Sequence, residues 1–286
     1  MSSRRSRTSR PLGGYHLSEA LIAGWRPLAR LDVDGFALLR SRGVTRRANS
    51  AVAVDAPSST AALTSAIERI EMLCETAGEA ATFRVLDVHG PPGLDDLLAA
   101  RGYGTAGPSE LLELDLTAAS RLEPSPSAVI CTGALDQEWF DAFWRLAPRE
   151  GDQARETLHA IMAGTPAVQV LLPDGADGAD GAGGADGADG SEGSAAGRPA
   201  AVGRAALVEA GREQAAVLNA IAVDPGRRRR GLGRAVSQTL LSIAAVQGAS
   251  RALLEVETDN PGALALYRTL GFRRLGGYHY RVRPPG

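Results

Sequence analysis

Leu218-Asn219-Ala220-Ile221-Ala222-Val223-Asp224-Pro225 runs directly into Gly226-Arg227-Arg228-Arg229-Arg230-Gly231-Leu232-Gly233-Arg234, and this stretch decides the fold. Its first part reads as a strand ending in proline, its second as a basic turn with glycines, and a long amphipathic helix, Leu232 to Gln247, follows at once. A turn so placed suits anions. Glycine lets the backbone approach a phosphate closely, the first N–H groups of a helix lack intrahelical acceptors, and the macrodipole adds positive potential there. Nearby arginines add charge-assisted contacts. Taken alone, Arg227 to Arg230 is as well read as a solvated basic face or a nucleic-acid patch. Its position between strand and helix favours a diphosphate, which accounts for the glycines as well as the charge. The turn itself matches neither GxxxxGK[ST] nor GxGxxG, so nucleoside-triphosphate and dinucleotide loops fit poorly there.

Upstream of this stretch, Val202 to Glu209 and Ala215 to Val223 form a predicted hairpin about a turn at Gly211. Downstream come a strand (Ala252 to Glu257), a helix (Gly262 to Leu270) and a closing strand near Tyr278 to Val282. A hairpin feeding a strand-helix-strand-helix-strand unit predicts an α/β protein of the α+β type, with a mixed sheet flanked by helices. Ahead of the hairpin, Asp136 to Leu146 reads as a helix with Trp139, Phe140, Phe143 and Trp144 on one side, an aromatic stripe suited to a core. A shorter helix around Glu156 to Met162 and a strand from Val168 to Leu172 follow. Asp174 to Gly197 is a near-repeat of Gly-Ala-Asp, too poor in apolar bulk to offset ordering entropy, and is expected to be a disordered insertion. Its three-residue period matches no calcium loop, and no metal is expected.

The first half repeats the theme more faintly. Strand-like Phe36 to Leu39 and Ala48 to Val54 precede a helix over Thr60 to Ala77, then a strand (Thr82 to Val88), a helix (Leu94 to Arg101) and a strand (Glu110 to Leu116). Pro124 and Pro126 among small polar residues mark a linker at residues 120–127. The expected layout is a disordered tail (1–12), a first domain (13–119), the linker, and a second domain (128–286) that carries the basic turn. A chain of 286 residues accommodates two such domains.

Composition sets bounds. Hydrophobic residues make up 44%, charged residues 22%, and the formal net charge is -2, so no global field argues for nucleic acid or an anionic membrane as partner. Every basic side chain is Arg or His, and no lysine is present. Cys74 and Cys131 stand alone, without metal or disulfide spacing, and read as small buried thiols. The longest apolar stretches fall short of the roughly 20 residues needed to cross a bilayer. Ser3-Arg4-Arg5 has the look of an export signal, but polar residues follow it, and a cytoplasmic location is expected.

Two motifs tie the second half to a family. Arg228-x-x-Gly231-x-Gly233 resembles the coenzyme A pyrophosphate signature Arg/Gln-x-x-Gly-x-Gly/Ala of the GNAT superfamily of N-acetyltransferases. Asn260-Pro-Gly-Ala263-Leu-Ala-Leu266-Tyr267-Arg-Thr-Leu270-Gly271-Phe272 is similar to its second signature, Asn-x-x-Ala-x-x-Leu-Tyr-x-x-Leu-Gly-Phe. The two stand in the family's order, separated by a helix and a strand. The match extends over about Val202 to Tyr280. Asp34-Gly35-Phe36, Leu39-Arg40 and Thr45 to Ser50 are similar to tandem GNAT-like proteins of actinobacterial type, which implies two GNAT-like domains and a mostly antiparallel sheet with one splayed parallel pair.

The resemblance implies acetyl-CoA as co-substrate. Backbone N–H groups from Arg229, Arg230, Gly231, Leu232, Gly233 and Arg234 would hold its pyrophosphate, with Arg228 beside them. Splayed from its parallel neighbour, the strand around Ile221, Ala222 and Val223 would pair with pantetheine. Asn260 and Ala263 open the helix that flanks this arm, and Tyr267 occupies the position that commonly protonates the departing thiolate. Packing between helix and sheet is the alternative role for that tyrosine.

Chemistry sets its own requirements. An alkyl amine with a pKa near 10.4 must lose a proton before attacking a thioester, the attack builds an oxyanion, and the thiolate takes a proton as it leaves. Glu255 and Glu257 alternate with Leu254 and Val256 on one strand face, and Glu209 lies on the preceding hairpin. Each is a candidate base or a solvent-facing carboxylate. Glu257 is nearest the strand end, where clefts open in such sheets, and a water chain is a further alternative. Thr45 to Ser50 reads either as lining an acceptor cleft or as a capped turn. The expected activity is acetyl transfer to a primary amine, small-molecule or peptide. A catalytically inactive coenzyme A-binding regulator is the alternative, and oligomeric state is not legible.

Overall fold

The computed structural model describes residues 12–117, 122–175 and 198–283. The first half contains α1 (Gly14–Gly24), β1 (Ala29–Val33), β2 (Phe36–Arg40), β3 (Ala51–Ala53), α2 (Thr60–Thr76), β4 (Ala81–Leu86), α3 (Leu94–Ala100) and β5 (Gly104–Asp115). The second contains β6 (Val129–Gly133), α4 (Gln137–Leu146), α5 (Ala154–Ala163), β7 (Ala167–Pro173), β8 (Pro199–Ala210), β9 (Glu213–Val223), α6 (Leu232–Val246), β10 (Ala249–Glu257), α7 (Pro261–Thr269) and β11 (Arg273–Arg283). Residues 1–11 of the expected tail and 176–197 of the expected insertion lie outside the described residues.

One mixed sheet runs through both halves in the order β1-β2-β3-β4-β11-β5-β10-β9-β8-β7-β6. Among the described residues only β3/β4 and β9/β10 are parallel pairs. The closing strand β11 lies between β4 and β5, so the end of the chain completes the sheet of the first half. A charged clip fixes it: Arg281 Nε and Nη2 donate to Asp95 of α3 at 2.7 and 2.8 Å, and His279 Nε2 lies 2.7 Å from the same carboxylate. The Arg281 bonds outweigh partial burial and, helped by His279, hold the Asp95 carboxyl down at about 2.

Strand alternation sorts the core into two layers. Leu112 packs with α6 and α7, while its neighbour Leu111 packs with α1 on the opposite face. In β4, Phe83 and Val85 face α2 and α3, and Leu86 faces the α1 side. Helices α2, α3, α6 and α7 therefore cover one face, and α1, α4 and α5 the other. The predicted aromatic stripe is core: Trp139, Phe140 and Phe143 are buried, and Asp136 caps α4 by accepting from Trp139 N at 2.8 Å.

Helix α1 crosses into the second half and packs on β8 and β9. A Cβ on Gly24 would stand 2.5 Å from Val217 Cβ, so the approach requires glycine. Arg204 of β8, 1% exposed, donates to the carbonyls of Gly24 (3.3 Å), Met162 (2.8 Å) and Thr165 (2.7 Å), and to Asn219 Oδ1 (3.2 Å). It joins α1, α5 and β9 at one point, and burial lowers its guanidinium pKa to about 10.

Candidate active site

β9 and β10 pair in parallel as far as Leu218 and Leu254, yet β9 continues to Val223 and β10 to Glu257. The pair splays where the strand-ending residues were expected to part. Its local cause is a β-bulge: Arg204 pairs with Asn219 and Val202 with Ala222, so Ala220 and Ile221 together oppose Gly203. Ala220 takes up the bend at φ 51°. Asn219 holds the strand on the α1 side by donating to Gly24 O and Val217 O, both at 3.1 Å.

The splay opens a cleft of about 360 Å³. Ile221, Val223 and Gly233 line its α6 side; Asn260, Ala263 and Tyr267 line its α7 side; Glu255 and Glu257 line the β10 edge. Asn260 caps α7 by accepting from Ala263 N at 3.1 Å. Tyr267 is 5% exposed and packs edge-on against Phe272, with ring centroids 5.6 Å apart. Burial pushes its phenol up to about 12, with a Ser237 hydrogen bond pulling the other way. Ser237 in turn donates to Gly233 O at 2.8 Å, which links the phenol to the first turn of α6.

At the α6 end, Asp224 Oδ1 accepts from Gly226 N at 2.8 Å, and Arg227 N donates to Asp224 O at 2.9 Å. Arg227 also pairs with Asp174 at 2.6 Å. Arg228, Arg229, Arg230 and Arg234 are exposed and form no ion pair with a described residue. Arg229 and Gly231 both take left-handed backbone, φ 66° and 76°. Gly231 is the N-cap of α6 and supplies no capping side chain, so the amides of Leu232, Gly233 and Arg234 start the helix with no side-chain cap. Amide donors, left-handed turns and four cations at one end of a cleft fit a diphosphate. Ala222 packs instead against the aromatic core of α4.

The cleft's other end is built from both halves. Trp25, just after α1, donates from Nε1 to Thr45 Oγ1 at 3.0 Å, and the Arg47 guanidinium lies 4.8 Å over the Trp25 ring. Arg47 also pairs with Glu255 at 3.1 Å, and Arg84 of β4 pairs with the same carboxylate from the far side. Side-chain exposure is 3% for Glu255 and 2% for Arg84. Phe143, Arg149 and Leu158 complete this wall. Glu257 is exposed and forms no ion pair with a described residue. Glu209 stands away from the cleft, paired with Gln214 near the hairpin turn.

A family model described as "Probable histone acetyltransferase Rv0428c C-terminal" matches residues 15–283. The chain belongs to this family, within the GNAT superfamily. N-alpha-acetyltransferase RimI of Mycobacterium tuberculosis is 45% identical over 67 residues, which is 23% of this chain and 40% of that protein. The uncharacterized protein ML0378 of Mycobacterium leprae is 49% identical over 59 residues, 21% of this chain and 16% of its own length. The chain thus matches well under half of either relative. A GCN5-related N-acetyltransferase from Kribbella flavida shares the fold with a TM-score of 0.67 at 17% identity, covering 96% of this chain and 98% of that one. A tandem GNAT protein from the clavulanic acid biosynthesis pathway aligns with a TM-score of 0.60 at 14% identity, covering 83% and 75%.

In this GNAT chain Thr45 to Ser50 forms the capped turn. Asn49 Oδ1 accepts from Ser41 N (2.6 Å) and Gly43 N (2.9 Å), and its Nδ2 donates to Thr45 O (2.6 Å), which makes a capped turn. The same turn places Thr45 and Arg47 in the cleft. Trp25, Phe143 and Arg149 are cleft residues that the sequence does not announce. Helix α1 buries Leu17, Ala20, Leu21 and Gly24 as one stripe with Ser18 and Ile22 beside it, but no capping side chain marks its start, and Phe143 reads as core. Cys74 is buried, Cys131 is half-buried, and no helix among the described residues is long and apolar enough to cross a membrane.

Proposed function

We propose that residues 128–286, completed by α1 and the turn before β3, transfer an acetyl group from acetyl-CoA to a primary amine by direct attack within a ternary complex. The observation that carries this reading is the splay of β9 from β10 past Leu218 and Leu254, which ends at the uncapped start of α6 and holds Tyr267 against its wall. Acetyl-CoA supplies an activated thioester. Arg228, Arg229 and Arg230, with the amides from Gly231 to Arg234, bind the diphosphate, and the β9 edge from Ile221 to Val223 receives the extended arm. Asn260 and Ala263 flank that arm from α7.

Glu257 is the proton acceptor for the incoming ammonium: it lies at the end of β10, exposed, with no cation pairing it among the described residues. Glu255 is assigned a positioning role, because it is buried and its carboxylate is held between the Arg47 and Arg84 guanidiniums. As the nitrogen–carbon bond forms and the carbon–sulfur bond breaks, a β9 amide near Val223 offers a hydrogen bond to the developing negative oxygen. Tyr267, fully protonated at neutral pH, gives its proton to the leaving sulfur. The ammonium gives up two protons, one of which ends on coenzyme A by way of the phenol and one in solvent.

Coenzyme A release over an amine panel tests this. Turnover that Tyr267→Phe and Glu257→Gln both depress, while acetyl-CoA still binds, supports the transferase. Tight acetyl-CoA binding with no turnover on any amine favours a regulator instead.

A further inference from the structure

The acceptor end of the cleft is lined by four charged side chains: Arg47, Arg149, Glu255 and Glu257. Two of these are spoken for, since Glu255 is flanked by Arg47 at 3.1 Å and by Arg84, and Arg47 is further fixed over Trp25. That cluster retains one net positive charge. The remaining two, Arg149 and Glu257, have opposite signs and no described ion-pair partner, and they do not pair with each other although they line one cavity. Between them the wall is apolar and aromatic, from Trp25, Phe143 and Leu158.

From this arrangement we propose that the acceptor is a zwitterion, a free α-amino acid with an apolar or aromatic side chain. The inference rests on the transferase reading above. Glu257 receives the ammonium at the splayed end of β10, where the thioester carbonyl must lie. Arg149 holds the carboxylate, with the positive Arg47–Arg84–Glu255 cluster adding attraction. Trp25, Phe143 and Leu158 bury the side chain. A volume of about 360 Å³ admits a small molecule, and a lysine-rich segment would bring further cations towards Arg47 and Arg149, where like charges oppose docking.

Coenzyme A release with L-phenylalanine and with phenethylamine, which differ by the carboxylate alone, reads the assignment. The amino acid is expected to have a kcat/KM higher by roughly 10- to 100-fold, the worth of a charged hydrogen bond. Arg149→Gln is expected to bring that ratio towards one through KM for the amino acid, and Arg149→Lys to restore part of it. Equal or better use of phenethylamine, an unchanged ratio in Arg149→Gln, or acetylation confined to a basic peptide overturns the proposal. Titration of acetyl-CoA into the same protein separates the failures: with binding intact, such results sink the acceptor assignment alone, and without binding the transferase reading falls as well.

Discussion

Arg47 and Glu255 stand 3.1 Å apart although 208 residues separate them in the chain. The contact joins the turn before β3 to the strand that borders the cleft, so the first half helps to build the cleft wall. Arg84 closes the other side of the same carboxylate. A charge removed from this buried group leaves its partners uncompensated.

Glu255→Gln is therefore expected to destabilise the protein by about 3 kcal/mol or more, because Arg84 stays buried without a counter-charge. The acid limb of the kcat/KM profile is expected to survive, since Glu255 is not the base. Urea unfolding and a pH–rate series check both parts. A stable variant that loses the acid limb would reverse the roles of Glu255 and Glu257.

Glu257→Gln should do the opposite. Loss of a general base costs roughly 10²- to 10⁴-fold in rate, while an exposed side chain without an ion pair leaves the thermal midpoint near that of the parent. Rates within a few-fold of the parent would point to a water chain instead.

Tyr267→Phe keeps the packing against Phe272 and removes the proton donor, so kcat is expected to fall with acetyl-CoA affinity retained. The phenol also has a pH signature. Its pKa is raised from 10.0 to about 12 in the folded protein, so the unfolded chain releases the proton first. Its stabilisation is complete below pH 10 and is lost as pH rises towards 12. Denaturant titrations across that window should show a shallower decline in the Phe variant.

Asp95 gives the mirror case. Its carboxyl is depressed from 3.8 to about 2, chiefly by Arg281, so its stabilisation is present above pH 3.8 and is lost as pH falls towards 2. Asp95→Asn should be less stable than the parent near neutrality, with the gap closing as acid is added. A gap that persists at pH 2 would mean the substitution acts through packing rather than charge.

The second half is the more legible because its signals are local. Gly231, Gly233, Asn260 and Tyr267 sit at fixed offsets around helix starts, and strand alternation put Glu255 and Glu257 on one face. The splay was implied only by resemblance; physically it arises from a bulge at Ala220, a non-glycine residue with positive φ that no residue type advertises. The first half was harder. Helix α1 lacks a capping side chain, and its buried arc includes Ser18, Ala20 and Gly24, small residues that suit close packing beside the Arg204 hub but carry little apolar signal. Placement of β11 between β4 and β5 is a long-range pairing held by Asp95 and Arg281, 186 residues apart, and no periodicity within either segment encodes it. Trp25 and Arg149 enter the cleft for the same reason: distant elements bring them there.

On the proposed reading, the turn from Arg228 to Gly233 cradles the diphosphate of acetyl-CoA at the start of α6. Calorimetric titration of acetyl-CoA into the parent and into Gly231→Glu tests it most directly, since the substitution puts a carboxylate and a strained left-handed side chain at the N-cap. One binding site per chain in the parent, with at least about tenfold weaker binding in the variant, is the predicted result. No heat of binding in the parent, or equal affinity in both proteins, would contradict it.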